Sequence, residues 1–69
     1  MSEEKARKLA KEHGLFVLDN TSLKSWIFVR WDGDTIVGIA KATYLEVDLM
    51  PERIISDRIV KRLIEETWK

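Results

Sequence analysis

The sequence predicts a single small α+β domain spanning residues 1–69, ordered α-β-β-β-α, with a three-stranded antiparallel sheet packed by two helices. Three observations carry this reading. Ala6, Leu9, Ala10 and His13 recur at helical spacing in the first dozen residues, Asp32-Gly33 separates two β-rich runs, and a broad helical stripe follows the only proline, Pro51.

In the first helix Ser2 suits the opening amide hydrogens, and Glu3 and Glu4 suit the positive end of the dipole. Its apolar stripe is narrow and rich in alanine, so it can approach a sheet closely while burying little area. Gly14 supplies the left-handed residue that ends it. Leu15 to Leu18 reads as a short buried strand, and Asp19, Asn20, Thr21 and Ser22 make residues 19–24 a loop, because their side chains bond to nearby backbone. A second strand is expected from Ser25 to Trp31 and a third from Asp34. Residues Lys41 to Asp48 keep β-favouring composition, which points to a long bent third strand or to a short fourth segment, so that residues 43–49 could form a separate strand. Met50 before Pro51 is pushed out of the helical region, so the last helix is expected to begin at Pro51 or Glu52, with Ser56 as a later start. Its stripe comprises Ile54, Ile55, Ile59, Val60, Leu63, Ile64, Thr67 and Trp68.

The hairpin is the most informative segment. With Asp32 and Gly33 as the two loop residues of a type I′ turn, Trp31 pairs with Asp34, Val29 with Ile36 and Ile27 with Gly38. One face then carries Ile27, Val29, Trp31, Ile36, Gly38 and Ala40, and the other Trp26, Phe28, Arg30, Thr35, Val37 and Ile39. Neither face is polar. Helices on opposite faces would make a three-layer monomer, whereas helices on one face would leave an apolar surface open. The second arrangement is favoured, because the first helix is too slight to cover a sheet face alone.

Composition narrows the function classes. Hydrophobic residues at 45% and charged residues at 35% are a globular balance, no apolar run reaches the length of a membrane span, and MSEEKARK lacks the apolar stretch of a signal peptide. The chain has no cysteine and one histidine, so thiolate and ordinary zinc sites are not expected, and a cytoplasmic setting is the default. Twelve basic residues balance twelve acidic ones. His13, with no serine, cysteine or second histidine placed to work with it, reads as a contact to the terminal carbonyls of its helix. Asp32, Asp34, Glu46 and Asp48 match no calcium loop and read as turn residues and a solvated acidic rim. Ile39-Ala40-Lys41 lacks the carboxylate that a nuclease metal site needs, and no phosphate-binding glycine loop occurs. Trp31 and Trp68 read as core and edge-packing residues, while Trp26 reads as either core or an interface anchor.

The element order, with a short helix closed by Gly14, Leu15-Phe16-Val17, a hairpin and a long terminal helix, resembles the double-stranded-RNA-binding-domain-like fold. Within it, KLAKEHGLFVL is similar to the opening of small HicA-type toxins, which cut messenger RNA. Those toxins carry a glycine-serine-histidine cluster at the second strand, where this chain has Lys24-Ser25-Trp26, so the resemblance does not extend to RNA cleavage. Trp26-Ile27-Phe28-Val29-Arg30-Trp31 is similar to the middle strand of chromo shadow domains, and that resemblance implies dimerisation and peptide capture. SEEKARKLAKEHG also has the idealised composition of engineered helices, whereas the irregular DNTSLK loop argues for a natural chain.

The expectation is a non-enzymatic protein-interaction module without metal or cofactor. It would self-associate as a homodimer, or bind a protein partner, through the sheet face bearing Trp26, Phe28, Arg30, Val37 and Ile39. The alternative is binding of duplex RNA or DNA through Lys5, Lys8, Lys11, Arg58, Lys61 and Arg62, although Glu52, Asp57, Glu65 and Glu66 are interspersed among the last three. A further alternative is an engineered protein with no biological function.

Overall fold

A computed structural model of the chain describes residues 2–67, so the expected core role of Trp68 lies outside the described residues. The elements are α1 (Ser2–Glu12), β1 (Phe16–Asn20), β2 (Ser25–Asp32), β3 (Thr35–Thr43), α2 (Tyr44–Leu49) and α3 (Glu52–Thr67). The strands form one antiparallel sheet in the order β1-β2-β3. The α+β class and the αβββα frame are therefore as expected, with one helix more. No described helix is long and apolar enough to cross a membrane.

The end of α1 follows from its last residues. Gly14 has φ of +68°, Gly14 N–H donates to Lys11 O (3.1 Å), and Leu15 N–H donates to Ala10 O (2.8 Å). These two bonds satisfy carbonyls that a helix end leaves free, and they turn Leu15 back into the core against Ala10. β1 then begins at Phe16 and runs to Asn20, two residues beyond the expected end at Leu18.

The hairpin turns one residue later than expected. Trp31 pairs with Ile36 and Asp32 with Thr35, so the loop residues are Gly33 and Asp34. Only Gly33 has positive φ (+65°), at the first central position, as a type II′ turn requires. Asp32 extends the strand instead. Near the turn this moves the register by two residues and leaves the faces unchanged. Between Phe28 and Val29 on one side and Gly38 and Ala40 on the other, a β-bulge inserts Ile39 as an extra residue. Beyond it the faces swap, and Ala40 joins Phe28 rather than Ile27.

β3 runs on to Thr43, but residues 44–49 are helical, which corrects the strand expected there. Thr43 Oγ1 accepts from Glu46 N–H (3.0 Å) and Glu46 Oε1 accepts from Thr43 N–H (2.9 Å), a complete capping box. This reciprocal pair satisfies two free donors at once and outweighs the β preference of Tyr44 and Val47. Pro51 then breaks the helix, and α3 follows.

All three helices lie on one face of the sheet. The core joins Ala6, Leu9 and Ala10 of α1, Val47 of α2, and Ile55 and Ile59 of α3 to Trp26, Phe28, Ile39 and Ala42 of the sheet. Small side chains at positions 6 and 10 let α1 lie close over β1, α3 lies over β3, and Val47 closes the end between them.

Candidate interaction surface

The residues expected to meet a partner are on the helix-covered face. Phe28 is 0% exposed, Ile39 2% and Trp26 5%, and Val37 is half-buried and packs against the same core. Arg30, paired with Val37, shares that side of β2. The Trp26 ring packs against Tyr44 with centroids 5.3 Å apart, and Tyr44 in turn donates its hydroxyl to the Asp19 carboxylate, which raises the phenol's pKa. Trp26, Phe28 and Ile39 are thus enclosed by the fold, while Arg30 and Val37 keep part of their surface. The physical reason is that α1, α2 and α3 pack together over this one face and join it in a single core.

The opposite face is open, and it is built in cross-strand rows. Phe16, Val29 and Gly38 make one row, Leu18, Ile27 and Lys41 the next, and Trp31 with Ile36 the row at the hairpin tip, while Asn20, Ser25 and Thr43 make a polar row at the far end. Phe16 is 56% exposed, Trp31 55%, and Leu18 and Ile36 46% each. These four side chains alone present on the order of 400 Å² of apolar surface, within the range of the largest apolar patch on a typical monomer, a patch that is often functional. Val29 is 3% exposed even without a helix above it, because its row-mates and diagonal neighbours close over it. Gly38 leaves a notch in that row, for a Cβ there would meet nothing within 4 Å.

The notch continues around the outer edge of β3 into a cavity of about 510 Å³ bounded by Ile27, Gly38, Ile39, Lys41, Arg58 and Arg62. Arg58 donates to Lys41 O (3.0 Å) and Arg62 donates to Ile39 O (3.1 Å), so two outward carbonyls of this edge strand are already paired. Arg58 also holds Glu46 through two hydrogen bonds of 3.3 and 2.9 Å. That guanidinium, helped by the Thr43 N–H, pulls the Glu46 carboxyl down to a pKa of about 2.

The alternative basic set is mostly engaged within the fold. Lys5 donates to Met50 O (2.7 Å) at the carboxyl end of α2, Lys8 lies 3.5 Å from Glu52, and Arg58 and Arg62 serve the β3 edge. Lys11 and Lys61 have no ion pair among the described residues. His13 Nε2 lies 2.6 Å from Ser56 Oγ of α3, rather than against the carbonyls of its own helix as expected. Asp32 ends β2 and Asp34 lies in the hairpin turn while Glu46 is held by Arg58, and among the described residues no group of three or more potential metal ligands gathers.

Sequence reasoning separates the two hairpin faces, with Ile27, Val29, Trp31 and Ile36 in one set, and it expects the partner on the other set, which the structure places under the helices. Phe16 and Leu18 of β1 were missed as the continuation of the first set. Their signal was the alternation Phe16, Leu18 against Leu15, Val17, which puts one apolar pair on each face. Comparison with known proteins adds no name to this surface, since no family model, no curated protein and no solved structure matches the chain.

Proposed function

We propose that the protein is a non-enzymatic protein-interaction module that engages a partner through the open face of its sheet, with Trp31, Phe16, Ile36 and Leu18 as the contact residues. The observation that carries this reading is the apolar content of a face left without helices. An antiparallel sheet packed on one side ordinarily presents polar side chains on the other. Here three successive rows are apolar, and the only charged side chain on them is Lys41. Half-exposed aromatic residues on a rigid sheet lose little conformational entropy on docking, which suits them as anchors.

The test is selection of a phage-displayed random peptide library on the immobilised protein. Enriched peptides are expected to lose binding to Trp31→Glu and Phe16→Glu variants and to keep it with Lys61→Glu. Circular dichroism confirms that each variant is folded. Peptides that bind the two face variants as well as the parent, or that depend on Lys61, would sink the proposal.

A further inference from the structure

The two edges of the sheet differ, and the difference points to what the β1 edge does. On β3 the outward carbonyls of Ile39 and Lys41 are paired with Arg62 and Arg58. Among the described residues, no hydrogen bond from outside the sheet reaches the main chain of β1, whose residues are exposed or half-buried. An edge with free amide and carbonyl groups is a template for another strand unless something guards it. Its shortness and Asp19 guard β1 only lightly, and the flank above it differs in charge between its two ends, with Arg7 reaching Glu3 at 3.7 Å between them. At the Gly14 end, a groove of about 410 Å³ is bounded by Arg7, Lys11, Phe16 and Val17. At the other end, a recess of about 330 Å³ is bounded by Ser2, Glu3, Glu4 and Asp19.

We infer that β1 pairs with β1 of a second copy of this chain, antiparallel about a two-fold axis through the sheet, giving a six-stranded sheet. Side-chain alternation restricts the register, since opposite residues share a face. An axis at Leu18 would set Val17 opposite Asp19. An axis at Val17 sets Phe16 opposite Leu18 of the second copy, twice by symmetry, and joins the two open faces into one apolar platform. The same axis lays the two α1 helices side by side and antiparallel, which brings the Glu3 end of each beside the Lys11 end of the other. Self-complementarity of this kind is what a two-fold interface requires. A five-residue strand and one helix flank bury on the order of 500 Å² per copy, near the lower limit for a specific interface, so the dimer forms at high micromolar concentration and above. The inference stands apart from the proposed use of the open face, which either a monomer or this dimer can present.

Sedimentation equilibrium of the full chain from about 10 μM to 1 mM tests it. The expected mass rises from 8.1 kDa toward twice that value. Glu3→Lys and Lys11→Glu should each weaken the dimer about tenfold, since each reversal turns two attractive pairs into repulsive ones, and the double variant should restore it. Circular dichroism checks that the variants are folded. A monomer at every concentration would overturn the inference, as would a dimer indifferent to both reversals. A dimer abolished by Trp31→Glu but insensitive to the reversals would be a face-to-face pair, and would overturn the edge assignment while leaving the open face in use.

Discussion

Phe16 and Phe28 sit on adjacent strands, one residue out of register with each other. Phe28 packs beneath α1, α2 and α3 and is wholly buried, whereas Phe16, directly opposite Val29, stands on the other side of the sheet with more than half its surface exposed. The same contrast separates Ile39 from Ile36 on β3. Composition does not distinguish these residues. What distinguishes them is which side of β2 received the helices, and a sheet that is apolar on both sides with helices on one keeps a surface whose side chains contribute little to the fold. The half-exposed apolar residues of that face are the ones on which the proposed contact with another molecule rests.

Truncating the two phenylalanines gives the largest expected difference. Phe28→Ala removes a fully enclosed ring and should cost about 3–5 kcal/mol, enough to unfold much of a domain of this size, while Phe16→Ala should stay within about 0.5 kcal/mol. Urea denaturation followed by circular dichroism measures both. Equal losses would erase the distinction between the faces. Ile39→Ala and Ile36→Ala repeat the comparison on β3, with an expected loss of about 2–4 kcal/mol for the first and under about 1 kcal/mol for the second. Because Ile39 occupies the bulge, a small loss there would mean that the extra residue is carried by the backbone of the edge strand and not by core packing.

Most of the fold was legible because its signals are local. Helical spacing from Ala6 to Ala10, the glycine after α1, the proline before α3 and the turn residues near position 33 each follow from the conformational preferences of a few neighbouring side chains. The capping box Thr43-x-x-Glu46 was equally local, and it was overlooked only because Tyr44 and Val47 favour strands. The bulge at Ile39 was not legible, since nothing in Gly38-Ile39-Ala40 marks an extra residue until Arg62 is seen to hold the carbonyl of Ile39 and Arg58 that of Lys41. The choice of face was not legible either. Both faces of the hairpin are apolar, and which one the helices take depends on how α1, α2 and α3 pack together, a property of the assembled chain.

The Glu46–Arg58 pair joins α2 to α3 beneath the β3 edge, and it sharpens the comparison by testing the covered side through a polar contact. Glu46→Gln should cost about 1 kcal/mol, a modest figure because both side chains remain about a third exposed. The folded-state pKa of Glu46 lies near 2 and its ordinary value is 4.5. Its contribution is therefore complete above about pH 4.5 and is lost as pH falls through about 2. In the Gln variant that part of the acid dependence should vanish. Thermal unfolding of parent and variant between pH 2 and 7 measures it, and parallel curves across that range would mean that the pair contributes nothing to the fold.

The smallest expected effect on stability comes from Gly38, and it divides folding from binding on the open face. Its backbone is not in the left-handed region and a Cβ there meets nothing within 4 Å, so the strand does not require glycine. Gly38→Val should stabilise the domain by about 0.5–1 kcal/mol, because a β-branched residue loses less backbone freedom on folding and completes the row with Phe16 and Val29. The same side chain fills the notch beside Val29. Peptides selected on the open face should therefore bind the variant several-fold more weakly although it unfolds at higher urea. Gain in stability with unchanged binding would move the contact away from the notch, to the Trp31 and Ile36 row at the hairpin tip. A loss of stability would instead show that the bulge at Ile39 depends on glycine as its neighbour.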